Sequence, residues 1–336
     1  MDREIRICTD LGSSLGKGCY DIDSVLHWIA QDNAVEEEHV RDLDSESCVI
    51  EFNGRAWTVG SSAAYGLHET ALHKNKAEEA SLRTLGMLGK IIESERFTEG
   101  YVDLTVLLPQ GERRYFRTLE SNLAKGIYGS TFNGLKPNVK VRRVRVLPEG
   151  SGVALQIQDQ EAMAIMFGHK DISLLRVKNG LIQAEKSLTL SNLGMIKLIS
   201  ECGIHISDEL ILATLICREV RNKNGFKHAF SDKEELKGAR QILKAAKAKV
   251  WRLISKELDG FPHLATATKI YVTGGSHPVW GPELKAKFGP KLRYLKNEIE
   301  EMSAAFPDLS APEYSGYKNR FTDSYLLIKG SQKYAS

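Results

Sequence analysis

Apolar residues follow two periods along this chain. Short alternating or continuous apolar runs read as strands at residues 5–9, 18–22, 102–108 and 139–147, the last ending at Pro148. Residues 48–59 read as two strands around Asn53-Gly54, a dipeptide that tolerates positive φ at both positions and so closes a hairpin. Residues 77–97 change to helical spacing, with Leu82, Leu85, Leu88 or Gly89, and Ile92 on one stripe.

A second series repeats this order. Apolar residues 163–167 are interrupted by Gly168-His169-Lys170, resume over 172–177, turn at Asn179-Gly180 and continue as a strand over 181–188. Strand, small-residue turn and strand thus occur twice, which predicts two related halves. Residues 206–220 and 231–258 read as long helices, and Ser231 with Glu234 fits a capping box at the start of the second. Residues 269–273 form an apolar strand that runs into Gly274-Gly275-Ser276. A final helical segment near 317–327 is expected to pack back on the first half.

Composition narrows the class. The chain has 336 residues, of which 42% are hydrophobic and 26% charged, enough for two domains with separate cores. The net charge of +3 is too small to argue for nucleic acid, and the basic run Lys140, Arg142, Arg143, Arg145 lacks interleaved aromatics. It reads as a solvated strand face. The five cysteines form no CxxC pair, which points to reduced thiols and a cytoplasmic protein. The stretch MDREIRICTD has no apolar core of a signal peptide, and no apolar run reaches the length of a membrane span. The histidines show no metal-ligand spacing.

The chemistry concentrates in the loops. Residues 5–17, IRICTDLGSSLGK, carry a strand into an aspartate and then small residues, the form of a phosphate-binding turn. Asp10 at the mouth could hold hydrated Mg²⁺, Ser13 and Ser14 could donate hydroxyls, and Lys17 could neutralise phosphate. Plain turn serines and a surface lysine are the bland alternative. Gly12 to Gly16 encloses three residues and Gly18 follows Lys17, so this is not a Walker A loop; a Rossmann fingerprint is absent too. Glu149, after Pro148 at a strand end, could orient an attacking water, or merely complement a helix dipole. Gly274 and Gly275 allow close approach to the backbone, or simply turn a strand into a helix.

In this order the segments resemble the actin-like ATPase superfamily, and most resemble the plasmid-partitioning ParM/StbA group. Asp10-Leu11-Gly12-Ser13-Ser14 is similar to its first phosphate loop, and residues 52–60, FNGRAWTVG, to the hairpin of its small subdomain. Val146-Leu147-Pro148-Glu149-Gly150 resembles the connection carrying the hydrolytic glutamate. Residues 167–171, FGHKD, stand where the second phosphate loop belongs. Val272-Thr273-Gly274-Gly275-Ser276 resembles the adenosine loop, and residues 319–325, NRFTDSY, a closing helix.

The resemblance implies an α/β fold of two ribonuclease-H-like domains around a nucleotide cleft. The first would span 1–148, with a small subdomain at about 24–75, completed by the C-terminal helix 310–336. The second would span 149–309, with a helical subdomain at about 200–262. It implies ATP, with GTP possible, and Mg²⁺ as cofactors. Asp10 and Glu149 would be catalytic; Gly12, Ser13, Ser14, Lys17, Gly168, His169, Lys170, Gly274, Gly275 and Ser276 would bind nucleotide. Lys237 and Arg240 would reach the ribose or adenine, with solvated helix cations as the alternative. Self-association into filaments, plasmid DNA segregation and a DNA-binding adaptor protein follow from the same resemblance.

The second loop departs from the pattern. Met166 stands where a metal-facing aspartate is usual, His169 replaces a glycine, and Lys170-Asp171 replace threonines. Methionine cannot hold hydrated Mg²⁺. Either Asp171 supplies the carboxylate from a shifted position, or the protein is a nucleotide-binding scaffold with little hydrolysis. A small-molecule kinase of the same superfamily ranks last, because no sugar-kinase signature is visible.

Overall fold

Turn dipeptides set the local geometry. In the computed structural model, which describes residues 3–12, 15–37, 43–65, 76–204, 206, 209–310 and 318–333, Asn53 and Gly54 take φ of 52° and 74°. Asn179 and Gly180 take 49° and 77°. These left-handed values close both hairpins with the twist that paired strands require. Ser13 and Ser14 lie outside the described residues, as do parts of the expected small subdomain and closing segment.

Two compact units emerge, Met1–Gly152 with Asp323–Ser336, and Val153–Thr322. The first contains β1 (Glu4–Leu11), β2 (Gly16–Ile22), β3 (Val25–Gln31), β4 (Val35–Glu36), β5 (Cys48–Phe52) and β6 (Arg55–Val59). Helix α1 (Lys76–Ser94), β7 (Glu99–Leu108), α2 (Phe116–Gly129), β8 (Thr131–Phe132) and β9 (Asn138–Pro148) follow. Its main sheet has the order β3-β2-β1-β7-β9, antiparallel over β1 to β3 and parallel over β1, β7 and β9. A smaller sheet, β4-β6-β5-β8, packs on α1.

One face of the main sheet is apolar. Ile5, Ile7, Leu104 and Val106 meet Leu88 and Ile92 of α1, all fully buried. Each such side chain contributes about 1.5–3 kcal/mol. The stripe predicted on α1 is therefore the core-facing one. The opposite face is laced with charge, including Arg6–Asp21 at 2.7 Å and Arg143–Asp103 at 2.5 Å. The Asp103 carboxylate raises the Arg143 pKa through that bond. The basic strand is thus an edge strand whose cations are partly spent on neighbours: Arg142 also pairs with Glu4 at 2.9 Å and lies over Tyr101. Charge on an edge discourages unwanted pairing.

Helix α3 (Ser151–Gln156) leads to the second unit, with β10 (Ala162–Phe167), β11 (Ile172–Lys178), β12 (Leu181–Ile182) and β13 (Leu188–Leu190). Helices α4 (Met195–Cys202), α5 (Glu209–Asn222), α6 (Lys233–Gly260) and α7 (Pro262–Thr266) precede β14 (Lys269–Thr273). Then come α8 (Gly281–Phe288), β15 (Leu292–Tyr294), α9 (Lys296–Ala305) and α10 (Lys318–Lys333), in which the chain returns to the first unit. The sheet order is β12-β11-β10-β14-β15, with β13 also on β11. Here too a hairpin, β10–β11, is extended by parallel strands. Ile165, Phe167, Leu174, Val250, Ile254 and Trp280 belong to its core.

Two expectations need correction. Residues 181–188 are not one strand: β12 stops at Ile182, a tight turn over Ala184–Lys186 intervenes, and β13 begins at Leu188. Leu181 is 65% exposed, so no buried face holds the run straight. The cap of α6 is Asp232 rather than Ser231, and its Oδ1 accepts N–H bonds from Glu234 at 2.8 Å and Glu235 at 2.9 Å. Asp232→Ala is expected to cost about 1 kcal/mol. Denaturant unfolding checks this, with Ser231→Ala as the neutral comparison.

Candidate functional site

Strand β1 carries Asp10 to its C-terminal end, directly opposite Lys17 on β2. Residues paired across a sheet share a face, so the register alone brings the two side chains together. Lys17 Nζ lies 2.8 Å from Asp10 Oδ2, and both side chains are nine-tenths buried. A buried pair of this kind is tolerable because each charge neutralises the other. Lys17 therefore points into the loop mouth rather than to the surface. Gly12 completes the turn, its N–H donating to Asp10 O at 3.0 Å. A Cβ on Gly12 would stand 2.8 Å from Leu15 O and 3.0 Å from Lys17 Nζ, so only glycine lets the ammonium settle there.

Two residues back, Cys8 and Cys19 are paired in the same register and fully buried. Burial pushes the Cys19 thiol up to about 12 and the Cys8 thiol well above its ordinary value, with Asp323 adding to the latter. These thiols stay protonated and are packing groups.

Glu149 follows the end of β9 in the same unit. Its N–H donates to Leu108 O at 2.8 Å, which extends the β7–β9 ladder by one bond. Leu107 pairs with Asp10 on one side and with Leu147 on the other. Glu149 is thus two strands across from Asp10 and two residues further along, about 12 Å by strand spacing and rise. Beyond it the chain turns at Gly150, with φ of 91°, whose N–H donates to Asp323 Oδ2 at 2.5 Å. Ser151 Oγ closes the turn on Pro148 O at 2.6 Å.

In the second unit the loop between β10 and β11 and the turn after β14 are tied together. Ser276 N and Oγ both donate to Phe167 O at 3.1 Å, and Oγ also lies 2.9 Å from Gly168 O. Gly168 N–H donates to Asp171 O at 2.9 Å and closes the loop on itself. The carbonyls of Lys170, Gly168 and His169 accept N–H bonds from Gly194, Met195 and Ile196 at 3.0, 3.3 and 2.9 Å. The loop thus caps the start of α4. Asp171 Oδ1 accepts the Asn192 N–H at 3.1 Å. Met166 is half-buried and brings no charge.

The remaining predicted residues fall differently. Lys237 is 65% exposed in its side chain and pairs with Glu234 at 3.6 Å. Arg240 is held by Glu219 at 2.7 Å and by Lys223 O at 2.8 Å. Both line an outward groove along α6 with Lys233, Leu236, Gln241 and Lys244. Helix α5 packs on the 277–280 turn after Gly275, and Trp251 of α6 stacks on Trp280 of that turn. There His277 Nδ1 approaches Gly274 O at 2.8 Å, and burial holds its pKa below the ordinary value. Arg320 lies against Gly275, 3.2 Å from where a Cβ would be. Neither His277 nor Arg320 stands in a sequence pattern that marks a ligand contact, although Arg320 sits inside the C-terminal NRFTDSY segment.

Among the described residues no group of three or more His, Cys, Asp or Glu is gathered to hold a metal, and no helix is long and apolar enough to cross a membrane. No protein-family model matches the chain, and no curated protein does. Solved structures do. A 15-stranded ParM filament from Clostridium botulinum is similar at a TM-score of 0.63 and 17% identity, over 99% of this chain and 100% of that one. Bacillus thuringiensis ParM with ATP is similar at 0.62 and 15%, over 98% and 99%. The actin-like protein Alp7A is similar at 0.62 and 12%, over 100% of both chains. Paired strand-turn-strand units, two sheets extended by parallel strands and full-length agreement with these structures lead to one architecture: the chain has the actin-like fold found in ParM and Alp7A.

Proposed function

We propose that this chain is a nucleotide-dependent, filament-forming actin-like ATPase that acts in plasmid DNA segregation. The observation that carries the reading is the placement of the loops at the C-terminal ends of parallel strands. Asp10, Gly12 and Lys17 lie there in one unit, and Gly168 to Lys170 with Gly274 to Ser276 in the other. A filament and an ATP complex among solved structures of the same fold support it.

The residues fit Mg²⁺ and a triphosphate. Asp10 offers a hard oxygen donor and already holds a cation, the Lys17 ammonium at 2.8 Å. With no cluster of carboxylates, the ion would share Asp10 with phosphate oxygens and water, and Asp171 is the second carboxylate we assign to it. When bound, Mg²⁺ neutralises triphosphate charge. Lys17 would then exchange Asp10 for a phosphate, the glycine turn would donate N–H groups, and Glu149 would orient the attacking water. Gly274 and Gly275 would receive the base. Nucleotide would favour head-to-tail contacts, which propagate as open filaments. A DNA-binding adaptor protein would link them to plasmid DNA.

Light scattering and electron microscopy with Mg-ATP, and with Mg-GTP in parallel, test the reading. Filaments above a critical concentration are expected. Their absence over a wide range of protein and nucleotide would sink the filament assignment. Met166 favours a second reading, a nucleotide-binding scaffold with little turnover. Calorimetry showing tight ATP binding without phosphate release would select it.

A further inference from the structure

We propose that Asn33 is a positioning residue for the first loop, holding Gly12 and Gly16 in the arrangement that receives a phosphate; the inference rests on the nucleotide reading above. Asn33 lies two residues past β3, in a sequence context with no motif. Strand register sets Gly16 opposite Gln31, so Asn33 stands just beyond the end of β2. It is 3% exposed. Its Nδ2 donates to the carbonyl of Gly12. Its Oδ1 lies 3.1 Å from where a Cβ on Gly16 would be. One side chain therefore touches both glycines that bracket the loop.

That contact reaches the charged groups through Gly12. A peptide is planar and trans, so anchoring the Gly12 carbonyl fixes the plane of the peptide that leaves Gly12. On its other side Gly12 is the floor beneath the Lys17 ammonium, which in turn holds Asp10 at 2.8 Å. Asn33, Gly12, Lys17 and Asp10 form one connected set, with a neutral amide at its buried end. An amide suits this place because it can donate to a carbonyl without bringing charge beneath an anion site. Among the described residues, the buried Asn33 Oδ1 has no hydrogen-bond partner. The donor end is the part in use.

Titration with Mg-ATP on folded Asn33→Ala, Asn33→Ser and Asn33→Asp tests this, with steady-state phosphate release alongside. Loss of the donor in Asn33→Ala is expected to weaken binding roughly tenfold and raise KM with it, while kcat stays within about twofold. Asn33→Asp removes the donor and adds a negative charge under the loop, so its loss is expected to exceed that of alanine. Asn33→Ser keeps a donor and should recover part of the affinity. A spacer role would instead lower the melting temperature and leave the affinity of the folded fraction unchanged. Folded Asn33→Ala with wild-type affinity, or an aspartate variant that binds better than alanine, overturns the inference. A wild-type chain that binds no nucleotide removes the reading beneath it, and the inference with it.

Discussion

Gly274→Ala is expected to destabilise the second unit by about 3–5 kcal/mol, among the largest effects a single methyl group can have. Gly274 takes φ of 96°, where an L side chain is strained. An added Cβ would lie 2.5 Å from Phe167 O, 2.7 Å from Phe167 N and 2.9 Å from Phe167 C. All three are backbone atoms of a fully buried residue in β10, so no flexible side chain can yield. Relief requires the turn to leave Phe167, which breaks the Ser276 bonds to Phe167 O and Gly168 O. Backbone strain of about 1–3 kcal/mol and bonds each contributing about 0.5–1.5 kcal/mol make up the total. The neighbouring Gly275→Ala is the control. There the added Cβ meets Arg320 Cγ and Nε at 3.2 Å, which can rotate away. Denaturant midpoints of the two variants decide the matter. Equal losses would show that the close approach at Phe167 does not hold the two loops of this unit together. ATP titration should show the larger loss in Gly274→Ala as well.

The elements that could be read in advance are those whose cause is local. Asn53-Gly54 and Asn179-Gly180 dictate hairpins because their own φ values do. The stripe on α1 repeats over enough turns to declare itself. Strand β3 was missed because its turn uses Asp23 and Ser24, with φ of 52° and 65°, where glycine or asparagine is the usual signal. Helix α2 was missed because its buried stripe is short and includes Gly126, which Leu85 packs against closely. The limits at the candidate site are of the same kind. Asp10 and its loop stand in sequence order, so their neighbourhood could be proposed. That Lys17 settles on Asp10 follows from strand register, which one strand does not reveal. Asn33 reaches Gly12 from the segment after β3, and the loop at Gly168 spends its carbonyls on α4, which begins 27 residues later at Met195. Such contacts are tertiary and leave no local pattern.

Glu149→Ala is expected to lower phosphate release by roughly 10²–10³-fold while nucleotide binding and assembly persist. The expectation rests on how rigidly the position is built. Parallel pairing of Leu107 with Leu147 and Leu108 with Pro148 carries β9 to the loop end of the sheet. The Glu149 N–H is bonded to Leu108 O, Pro148 restricts φ just before it, and the Gly150 turn is fastened to Asp323 just after it. A carboxylate on such a support is placed before substrate arrives, which is what water orientation requires. Two strands and a two-residue offset separate it from Asp10, about 12 Å, which in the proposed reading would leave room for a phosphate and a water between the two carboxylates. Alanine removes the oxygen acceptors without disturbing any of these backbone bonds, so the variant should fold. Glu149→Gln keeps an acceptor but cannot take a proton. A glutamine variant as slow as alanine assigns proton abstraction; one of intermediate rate assigns orientation. Filaments of either variant should outlast those of the wild type, because release of phosphate is the step that would loosen the subunit. Phosphate release and light scattering, recorded on the same samples, read both consequences. Turnover unchanged in Glu149→Ala would take this residue out of the reaction and leave Asp10 without its hydrolytic partner.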